Sequence, residues 1–293
     1  MKGILADLVS LLRLERLDRD LFRGRSQDLG WGAIFGGQVV GQALSAAAQT
    51  VGSGRTVHSL HGYFMRAGDV RGSIVYQIDR LRDGKSFTTR RVVAVQHGEP
   101  VFHLSASFAV VEDGFAHQLP QLDAPDPDDL PTAAQVLAGA EEQSRSWLAK
   151  ISEIFPLELR FPDELPRFAT VRGELRDPCQ RLWLRSAQPL SDDPLIHACA
   201  ATYASDLLLL SSALPPHGVV IDTPGVLLAS LDHAVWFHAP FRADEWLLYD
   251  QEGTWAGGAR ALCRGRFFDR QGTLVASVVQ EGMVRVARQP SER

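Results

Sequence analysis

Cysteine, long apolar runs and an excess of charge of either sign are all scarce in this sequence. The three cysteines among 293 residues are far apart, odd in number and without metal-ligand spacing, so they predict neither a disulfide framework nor a zinc site. The formal net charge is −5, which disfavours nucleic acid as a partner because phosphate neutralisation needs concentrated Lys and Arg. No apolar run reaches the length of a membrane span, so we expect no transmembrane segment.

The two ends of the sequence lack the common targeting signals. The opening MKGILADLVSLL is interrupted by Asp7 and followed by charged residues, which predicts an amphipathic helix and not a signal peptide. The final residues, Ser291-Glu292-Arg293, differ from the peroxisomal Ser-Lys-Leu signal. Together with the cysteine usage, these features favour a cytoplasmic globular protein.

Several widespread catalytic motifs are missing as well. The sequence contains no G-x-S-x-G nucleophile elbow, no H-E-x-x-H zinc motif and no Walker A loop. Gly30, Gly32 and Gly36 have the wrong spacing for a dinucleotide-binding fingerprint. We therefore expect neither a serine hydrolase of the α/β type nor a nucleotide-cofactor enzyme.

What the sequence does contain is an internal similarity, because its two halves follow the same series of elements. Residues 35–51 have a helical pattern rich in small side chains, and Asp193-Pro194 is a good N-cap and first-turn pair for a second such helix. Four extended segments follow each helix. They lie near 56–65, 72–83, 86–97 and 100–111 in the first half, and near 226–238, 245–255, 258–270 and 273–287 in the second.

Particular segments of the two halves also match. VHSLHGYFMRAG (57–68) resembles LLASLDHAVWFHAP (227–240), and RVVAVQHGEPVFHLSASF (91–108) resembles GRFFDRQGTLVASVVQEG (265–282). An internal duplication explains these matches better than chance does.

A proline-rich segment separates the two halves. Residues 112–168 include the run DAPDPDDLP, and proline interrupts both helices and central strands, so the first part of this segment predicts a surface connector. Residues 133–151 could form a helix within it. The predicted organisation is an N-terminal repeat at 1–111, a connector at 112–168 and a C-terminal repeat at 169–293.

Small side chains on the first helix indicate how it packs. Gly41, Ala43, Ala46 and Ala47 allow a neighbouring backbone to come close, as when a curved antiparallel sheet wraps around the helix. A leucine-rich helix would sit further away, in a bundle. We therefore predict an α+β fold in which a curved antiparallel sheet wraps around a long helix, twice over.

Eight segments carry a family resemblance: LFRGRSQDLG, IFGGQVVGQAL, HSLHGYF, RLRDGKSF, TYASDL, SLDHAVWFHAPF, EWLLY and VASVVQEGM. In this order, from about residue 10 to 287, they resemble the type II acyl-CoA thioesterases of bacteria and peroxisomes. The resemblance implies a double-hotdog fold, an acyl-CoA substrate, an active site built mainly from the second repeat, and no metal or redox cofactor. We also expect a homo-oligomer, either a dimer or a tetramer.

The resemblance further implies a catalytic set of three side chains. Carried over by motif, the base is Asp206 of TYASDL, the hydroxyl residue is Ser230 before DHAVWFH, and the amide is Gln280 of VVQEG. Together they would hold the water that attacks the thioester carbonyl. Relatives often carry Thr where this chain has Ser230, and loss of the methyl group predicts a less restricted hydroxyl.

Alternation along the strands predicts which face of the sheet two of these side chains occupy. Gln280 shares a strand face with Val278, so its amide must find hydrogen-bonding partners in apolar surroundings, and we expect it to help stabilise the oxyanion. By the same alternation, Ser230 is expected on one face with Asp232 and Trp236.

Five weaker candidates complete the predicted site. The N–H groups of Gly36 and Gly37 at a helix start could polarise the thioester carbonyl or approach a phosphate; the alternative is that the glycines serve only a tight turn. His58 could contact the substrate, although a structural histidine is the better interpretation. Arg90 and Arg91 could bind the CoA phosphates, or they could lie on a solvated face.

Two other functions remain open at this point. A hotdog enoyl-CoA hydratase would have Asp and His a few residues apart at a helix start, and no His follows Asp206 closely. A catalytically inactive acyl-CoA-binding protein should lack one of the three catalytic positions, and all three are occupied. Hydrolysis of fatty acyl-CoA is therefore the favoured prediction.

Overall fold

A computed structural model describes residues 7–120, 123–139 and 142–286. The amphipathic helix predicted at the N-terminus corresponds to α1 (Leu8–Leu12), whose start is capped by a hydrogen bond from the Val9 N–H to Asp7 Oδ1, 3.0 Å. The remainder of that prediction, residues 1–6, and the C-terminal residues 291–293 lie outside the described residues.

The first half consists of two short strands, one long helix and four longer strands. These elements are β1 (Glu15–Asp18), β2 (Leu21–Gly24), α2 (Gly36–Ala48), β3 (Thr56–Phe64), β4 (Ile74–Asp83), β5 (Phe87–Gln96) and β6 (Glu99–Ala109). The helix and the four longer strands agree with the predicted segments to within about three residues. The two short strands were not predicted.

The connector is more structured than its proline content predicts. It contains a 3₁₀ turn at Pro127–Asp129, then α3 (Ala133–Gly139), α4 (Glu142–Ile154), β7 (Leu157–Arg160) and α5 (Pro166–Val171). The strand β7 pairs with β8 (Cys179–Ser186) and so extends the sheet of the second half. The division at residue 168 stays a prediction.

The second half repeats the pattern of the first. Besides β8 it contains α6 (Pro194–Ser205), β9 (Val226–Ser230), β10 (Asp232–Phe237), β11 (Leu247–Gly257), β12 (Arg260–Asp269) and β13 (Leu274–Val286), with 3₁₀ turns at Leu210–Ala213 and Pro215–His217. Asp193 caps α6 as predicted, because its Oδ1 atom accepts from the N–H of Leu195 at 3.0 Å. The predicted strand 226–238 is divided in two at Leu231.

All thirteen described strands belong to one antiparallel sheet whose halves mirror each other. The order is β1-β2-β4-β5-β6-β3-β10-β13-β12-β11-β8-β7, and β9 also pairs with β13. Reading outward from the centre, β3, β6, β5, β4 and β2 correspond to β10, β13, β12, β11 and β8. The two halves join where β3 pairs with β10, with His61 opposite Ala234. This symmetry is what a duplication produces.

The two long helices touch each other at the glycines of α2. A Cβ atom at Gly37 would lie 2.2 Å from the carbonyl oxygen of Tyr203, and one at Gly41 would lie 3.2 Å from the carbonyl oxygen of Cys199. The small residues were predicted to let the sheet approach. At Gly37 and Gly41, the absence of a side chain instead lets α6 approach α2. Ala43, another small residue of α2, is fully buried.

The interior is apolar and includes an aromatic cluster that links the connector to both helices. Phe155, just after α4, packs edge-on against Phe35 at the start of α2, with 5.0 Å between ring centroids. Phe35 packs in the same way against Tyr203 of α6 at 5.1 Å. Edge-to-face aromatic pairs stabilise a fold by more than the burial of their rings alone. This cluster therefore fixes the N-terminal end of α2 against the C-terminal end of α6.

One helical stretch, Pro194–His217, is long and apolar enough to be compared with a membrane span. However, 72% of its most apolar window is buried inside the protein. Burial of this kind is what a core helix shows, so we assign the stretch to the core.

Candidate active site

Asp206 lies at the C-terminal end of α6 and faces the start of α2 in the other half of the protein. Its Oδ2 atom accepts a hydrogen bond from the N–H of Gly37 at 2.9 Å, and its Oδ1 atom accepts from Nε2 of Gln280 at 2.7 Å. A carboxylate at a helix N-terminus is stabilised by the orphan N–H groups and the helix dipole. The carboxylate is therefore held between the two repeats.

The two glycines that begin α2 are required by this contact. A Cβ atom at Gly36 would lie 2.7 Å from Asp206 Oδ2 and 3.1 Å from Cζ of Phe64, so a side chain there would displace the carboxylate. The Gly37 N–H is occupied by Asp206. The Gly36 N–H belongs to the first helical residue and has no acceptor among the described residues, which leaves it available to a ligand.

Gln280 on β13 is fully buried and joins the other two predicted catalytic residues. Its Nε2 atom donates to Asp206 Oδ1 at 2.7 Å and to Ser230 Oγ at 2.8 Å. Because the carboxylate can only accept, the NH₂ group must face it, which fixes the orientation of the amide. Both N–H hydrogens are then used, which favours another donor for the oxyanion, and the role of Gln280 there stays a prediction.

The Oε1 atom of Gln280 is left buried with no hydrogen-bonding partner among the described residues. A buried amide oxygen without a partner is costly, because it has lost its contact with water and gained nothing in exchange. This oxygen is therefore a free acceptor beside the Asp206 carboxylate, suited to a molecule that donates a proton.

Ser230 reaches the site because of an irregularity between β9 and β10. Ser230 pairs with Gly282 of β13, whereas Ala234 pairs with Val279, so one extra residue is inserted between them. The insertion is stabilised by a hydrogen bond of 2.6 Å from the Glu281 N–H to Oδ1 of Asp232. It is a β-bulge.

The bulge reverses the alternation that the sequence predicts. Beyond it, His233 and Val235 are buried, whereas Trp236 is 40% exposed. The prediction that Ser230 shares a face with Asp232 and Trp236 is therefore wrong, since the extra residue shifts the inward positions by one.

Two residues near the site escaped prediction. The hydroxyl of Tyr203 and the Nδ1 atom of His233 are buried without partners among the described residues, while His233 Nε2 lies 2.7 Å from Ser205 Oγ. Burial and the negative charge of Asp206 raise the pKa of Tyr203, and burial lowers the pKa of His233. Both residues lie in segments that carry the family resemblance, TYASDL and SLDHAVWFHAPF, but a buried Tyr or His gives no sequence signal that separates a functional role from a structural one.

Comparison with known proteins shows which protein family this chain is similar to. Residues 150–283 match the family described as acyl-CoA thioesterase, and residues 25–109 match the acyl-CoA thioesterase N-terminal domain. The human acyl-coenzyme A thioesterase 8 is 41% identical over 97% of this chain and 91% of its own length. The acyl-CoA thioesterase 2 of Haemophilus influenzae is 37% identical over 97% of this chain and 99% of its own.

The chain belongs to the acyl-CoA thioesterase family. Its structure is similar to the crystal structure of an acyl-CoA thioesterase II from Mycobacterium marinum, with a TM-score of 0.78, 41% identity and coverage of 98% of this chain and 100% of that one. A hotdog-fold protein from Alicyclobacillus acidocaldarius has a TM-score of 0.74 at 18% identity, covering 96% of this chain and 98% of that one. The predicted double-hotdog fold is confirmed.

Of the weaker candidates of this thioesterase, Gly36 and Gly37 lie at the site, whereas His58, Arg90 and Arg91 make their contacts with other residues. His58 is half-buried, with Nε2 at 2.8 Å from Ser107 Oγ and its ring against the edge of Phe87. Burial lowers its pKa. Neither contact involves Asp206, Ser230 or Gln280, so the structural interpretation fits better than a substrate contact.

The two arginines differ sharply in their surroundings. Arg90 is 1% exposed, and its guanidinium donates to the Thr50 hydroxyl, the Thr50 carbonyl and Asp83 inside the first repeat. The prediction that Arg90 binds a CoA phosphate is wrong, because its donors are already used and shielded from a ligand. Arg91 is exposed and paired with Asp79, which leaves its assignment a prediction.

Proposed function

We propose that this protein hydrolyses fatty acyl-CoA to a free fatty acid and CoA, using Asp206 as a general base that activates a water molecule. The observation that carries the proposal is the arrangement around Gln280. Its amide ties Asp206 and Ser230 together through Nε2 and leaves Oε1 as a buried free acceptor beside the carboxylate. A water between Oε1 and the carboxylate would satisfy both oxygens with its two protons.

The chemistry needs little more than this arrangement. Sulfur donates poorly into the carbonyl and the thiolate leaves well, so a thioester is open to attack by an oriented water without a covalent intermediate. Asp206 accepts a proton from the water as the oxygen bonds to the thioester carbon. The tetrahedral intermediate then expels the CoA thiolate, which takes up the proton from Asp206, and the free acid is released.

The negative oxygen of the intermediate needs hydrogen-bond donors. Gln280 has none to spare and the Gly37 N–H is held by Asp206. Ser230 accepts from Gln280, which leaves its own hydroxyl proton free, and the Gly36 N–H has no acceptor among the described residues. We therefore assign these two groups to the oxyanion. No metal or redox cofactor takes part in the proposed reaction.

A free-thiol assay tests the proposal. The purified protein is incubated with a series of saturated acyl-CoA substrates and with an enoyl-CoA, and thiol release is followed alongside absorbance of the enoyl double bond. The proposal expects thiol from the saturated substrates. Loss of the enoyl absorbance without thiol would indicate a hydratase, and acyl-CoA binding without either change would indicate an inactive binding protein.

We further propose that the protein acts in the cytoplasm as a homo-oligomer, with cysteine usage as the support for the compartment. Light scattering coupled to size-exclusion chromatography measures the mass of the assembly directly. A mass equal to the 32.2 kDa chain would contradict the expected dimer or tetramer.

A further inference from the structure

The segment that follows Asp206 has an unusual backbone. The chain leaves α6 at Asp206, and Leu208, two residues on, has a φ of +62°. A side chain larger than glycine is strained in this left-handed region, and such strain persists only when the surroundings enforce it. The structure must therefore supply contacts that hold this turn.

Three buried side chains from the sheet supply those contacts. The Tyr249 hydroxyl donates to the carbonyl of Ser205 at 2.5 Å, and Gln251 Nε2 donates to the carbonyl of Leu207 at 2.8 Å. Gln180 Nε2 donates to the carbonyl of Leu208 at 2.8 Å. We call Tyr249, Gln251 and Gln180 the carbonyl clamp. It binds the backbone before and after Asp206. The Ser205 carbonyl is the last of α6 and has no partner within the helix. The Leu208 carbonyl lies beyond the helix and also accepts from the Ser211 N–H at 3.1 Å.

The clamp is itself rigid. Gln180 and Gln251 are register partners on β8 and β11, and they are joined by a hydrogen bond of 2.6 Å from Gln180 Nε2 to Gln251 Oε1. The Tyr249 ring stacks on Phe267 with 3.9 Å between centroids. Gly265 leaves room for this ring, because a Cβ atom there would lie 2.4 Å from it.

Burial also keeps the clamp in its donating form. Tyr249 and Gln251 are fully buried, and burial together with the charge of Asp206 raises the pKa of the Tyr249 hydroxyl. The phenol therefore stays protonated and its hydrogen bond to Ser205 persists. The Asp206 carboxylate accepts from Gly37 and Gln280, and the clamp residues donate to backbone carbonyls, so the clamp acts on the backbone that carries the carboxylate.

We infer that the carbonyl clamp positions Asp206 for catalysis by enforcing the strained turn at Leu208. This inference rests on the proposed function, in which Asp206 must reach Gly37, Gln280 and a water at once. Small displacements of a catalytic group are costly in rate. Loss of a clamp donor should therefore lower kcat without changing how the substrate binds.

The experiment compares Tyr249→Phe and Gln251→Met in the full-length protein. Each removes a donor with little change in shape, and thiol release is measured against acyl-CoA concentration. We expect kcat to fall about tenfold while KM stays within about twofold, because the clamp holds the backbone that carries Asp206 and does not bond to its carboxylate. A kcat within twofold of the parent in a folded Tyr249→Phe protein would overturn the inference. Tyr249→Phe decides the matter if Gln251→Met does not fold.

Gln96→Met is the matched control. Gln96 is also a buried glutamine that holds backbone groups, donating to the carbonyls of Asp69 and Gly72 in the first repeat. The Gln96→Met variant should lose stability in the same manner as Gln251→Met but keep the kcat of the parent protein. An equal loss of kcat in Gln96→Met would show a general effect of destabilisation and overturn the positioning role.

Combining a clamp variant with Asp206→Asn separates a positioning role of the clamp from a purely structural one. When Asp206→Asn is already present, a clamp variant acting through Asp206 should change the residual rate by less than about twofold. An undiminished tenfold effect in that background would overturn the inference. Failure of the proposed function is distinguishable, because then the parent protein would release no thiol or Asp206→Asn would leave its rate unchanged.

Discussion

Asp206 and Gly37 are 169 positions apart in the chain, yet a hydrogen bond of 2.9 Å joins the Gly37 N–H to the Asp206 Oδ2 atom. Gly37 lies in the first turn of the helix of the first repeat, and Asp206 directly follows the last residue of the helix of the second. The candidate site is therefore shared between the repeats, and a single repeat does not contain it. The duplication has been kept in one chain with one site assembled at the contact of its two helices.

Asp206→Asn tests the assigned base. The amide keeps the size of the side chain but cannot accept the proton from water, so we expect kcat to fall by a factor of about 10² or more with little change in fold. Thiol release and circular dichroism measure the two effects. Asp126→Asn is the matched control, since Asp126 forms an exposed ion pair with Arg270, and such pairs contribute little. Activity of Asp206→Asn within a few-fold of the parent would show that the base is another group.

Gly36→Ala tests the close approach at the start of α2. The added methyl group would meet Asp206 Oδ2 at 2.7 Å, so the carboxylate must move and kcat should fall by about tenfold or more. Alanine is otherwise favoured over glycine in a helix, so stability should change little. Gly52→Ala introduces the same methyl group where no atom lies within 4 Å and should leave kcat unchanged. Equal rates for the two variants would contradict the assigned contact.

Much of the fold could be predicted because local patterns specify it. The small residues of α2, the Asp193-Pro194 start of α6 and the paired segments of the two halves gave the helices and the longer strands to within a few residues. The strands β1, β2, β7 and β8 were missed. In β8, charged residues such as Arg181 and Arg185 occupy outward positions, which weakens the strand pattern. The matching segments of the two halves also do not include β8.

The site was harder to predict because it depends on long-range packing. The three residues taken from the family resemblance do meet, because Gln280 donates hydrogen bonds to both Asp206 and Ser230. The bulge after Ser230 depends on Asp232 bonding to the backbone of β13, which strand alternation cannot reveal. Likewise, Arg90 has the sequence context of a surface arginine, and only the fold places it next to Thr50.

Ser230→Thr and Ser230→Ala test the hydroxyl. Threonine keeps the oxygen that accepts from Gln280 and restricts its rotamers, so we expect activity at or above that of the parent protein. Alanine removes both the acceptor for Gln280 and the proposed oxyanion donor, and kcat should fall by about 10². Thiol release under saturating acyl-CoA compares them. An alanine variant as active as the threonine variant would remove Ser230 from the mechanism.

Arg90→Met should affect stability and not substrate binding. It removes a buried guanidinium that satisfies the hydroxyl and carbonyl of Thr50, so the free energy of unfolding should fall by about 2–4 kcal/mol. Urea denaturation measures this change, and KM for acyl-CoA should stay within about twofold. Arg91→Met removes an exposed ion pair with Asp79 and should change stability by less than about 1 kcal/mol. A large rise in KM for Arg90→Met would restore its role at the CoA phosphates.

Buried histidines should make the protein less stable in mild acid. Burial lowers the pKa of His197 and of His233 below the ordinary value of 6.5. In the unfolded chain both become protonated as the pH falls below 6.5, whereas in the folded protein they stay neutral until a lower pH. The unfolded state then binds more protons, so the free energy of unfolding should fall as the pH drops below 6.5. Urea denaturation at a series of pH values measures the slope.

A matched pair of variants tests whether His233 is a source of this dependence of stability on pH. His233→Gln removes a buried titrating ring while keeping a side chain that can bond to Ser205, so stability should depend less on pH below 6.5 than in the parent protein. His117→Gln replaces an exposed histidine and should leave the slope as it is. If His233→Gln and the parent protein lose stability equally between pH 6.5 and the acid end of the series, His233 is not a source of the pH dependence. The slope would then arise from His58, His197 and His238, whose pKa burial also lowers, and from carboxylates whose pKa is lowered by ion pairs, such as Asp20 beside Arg80.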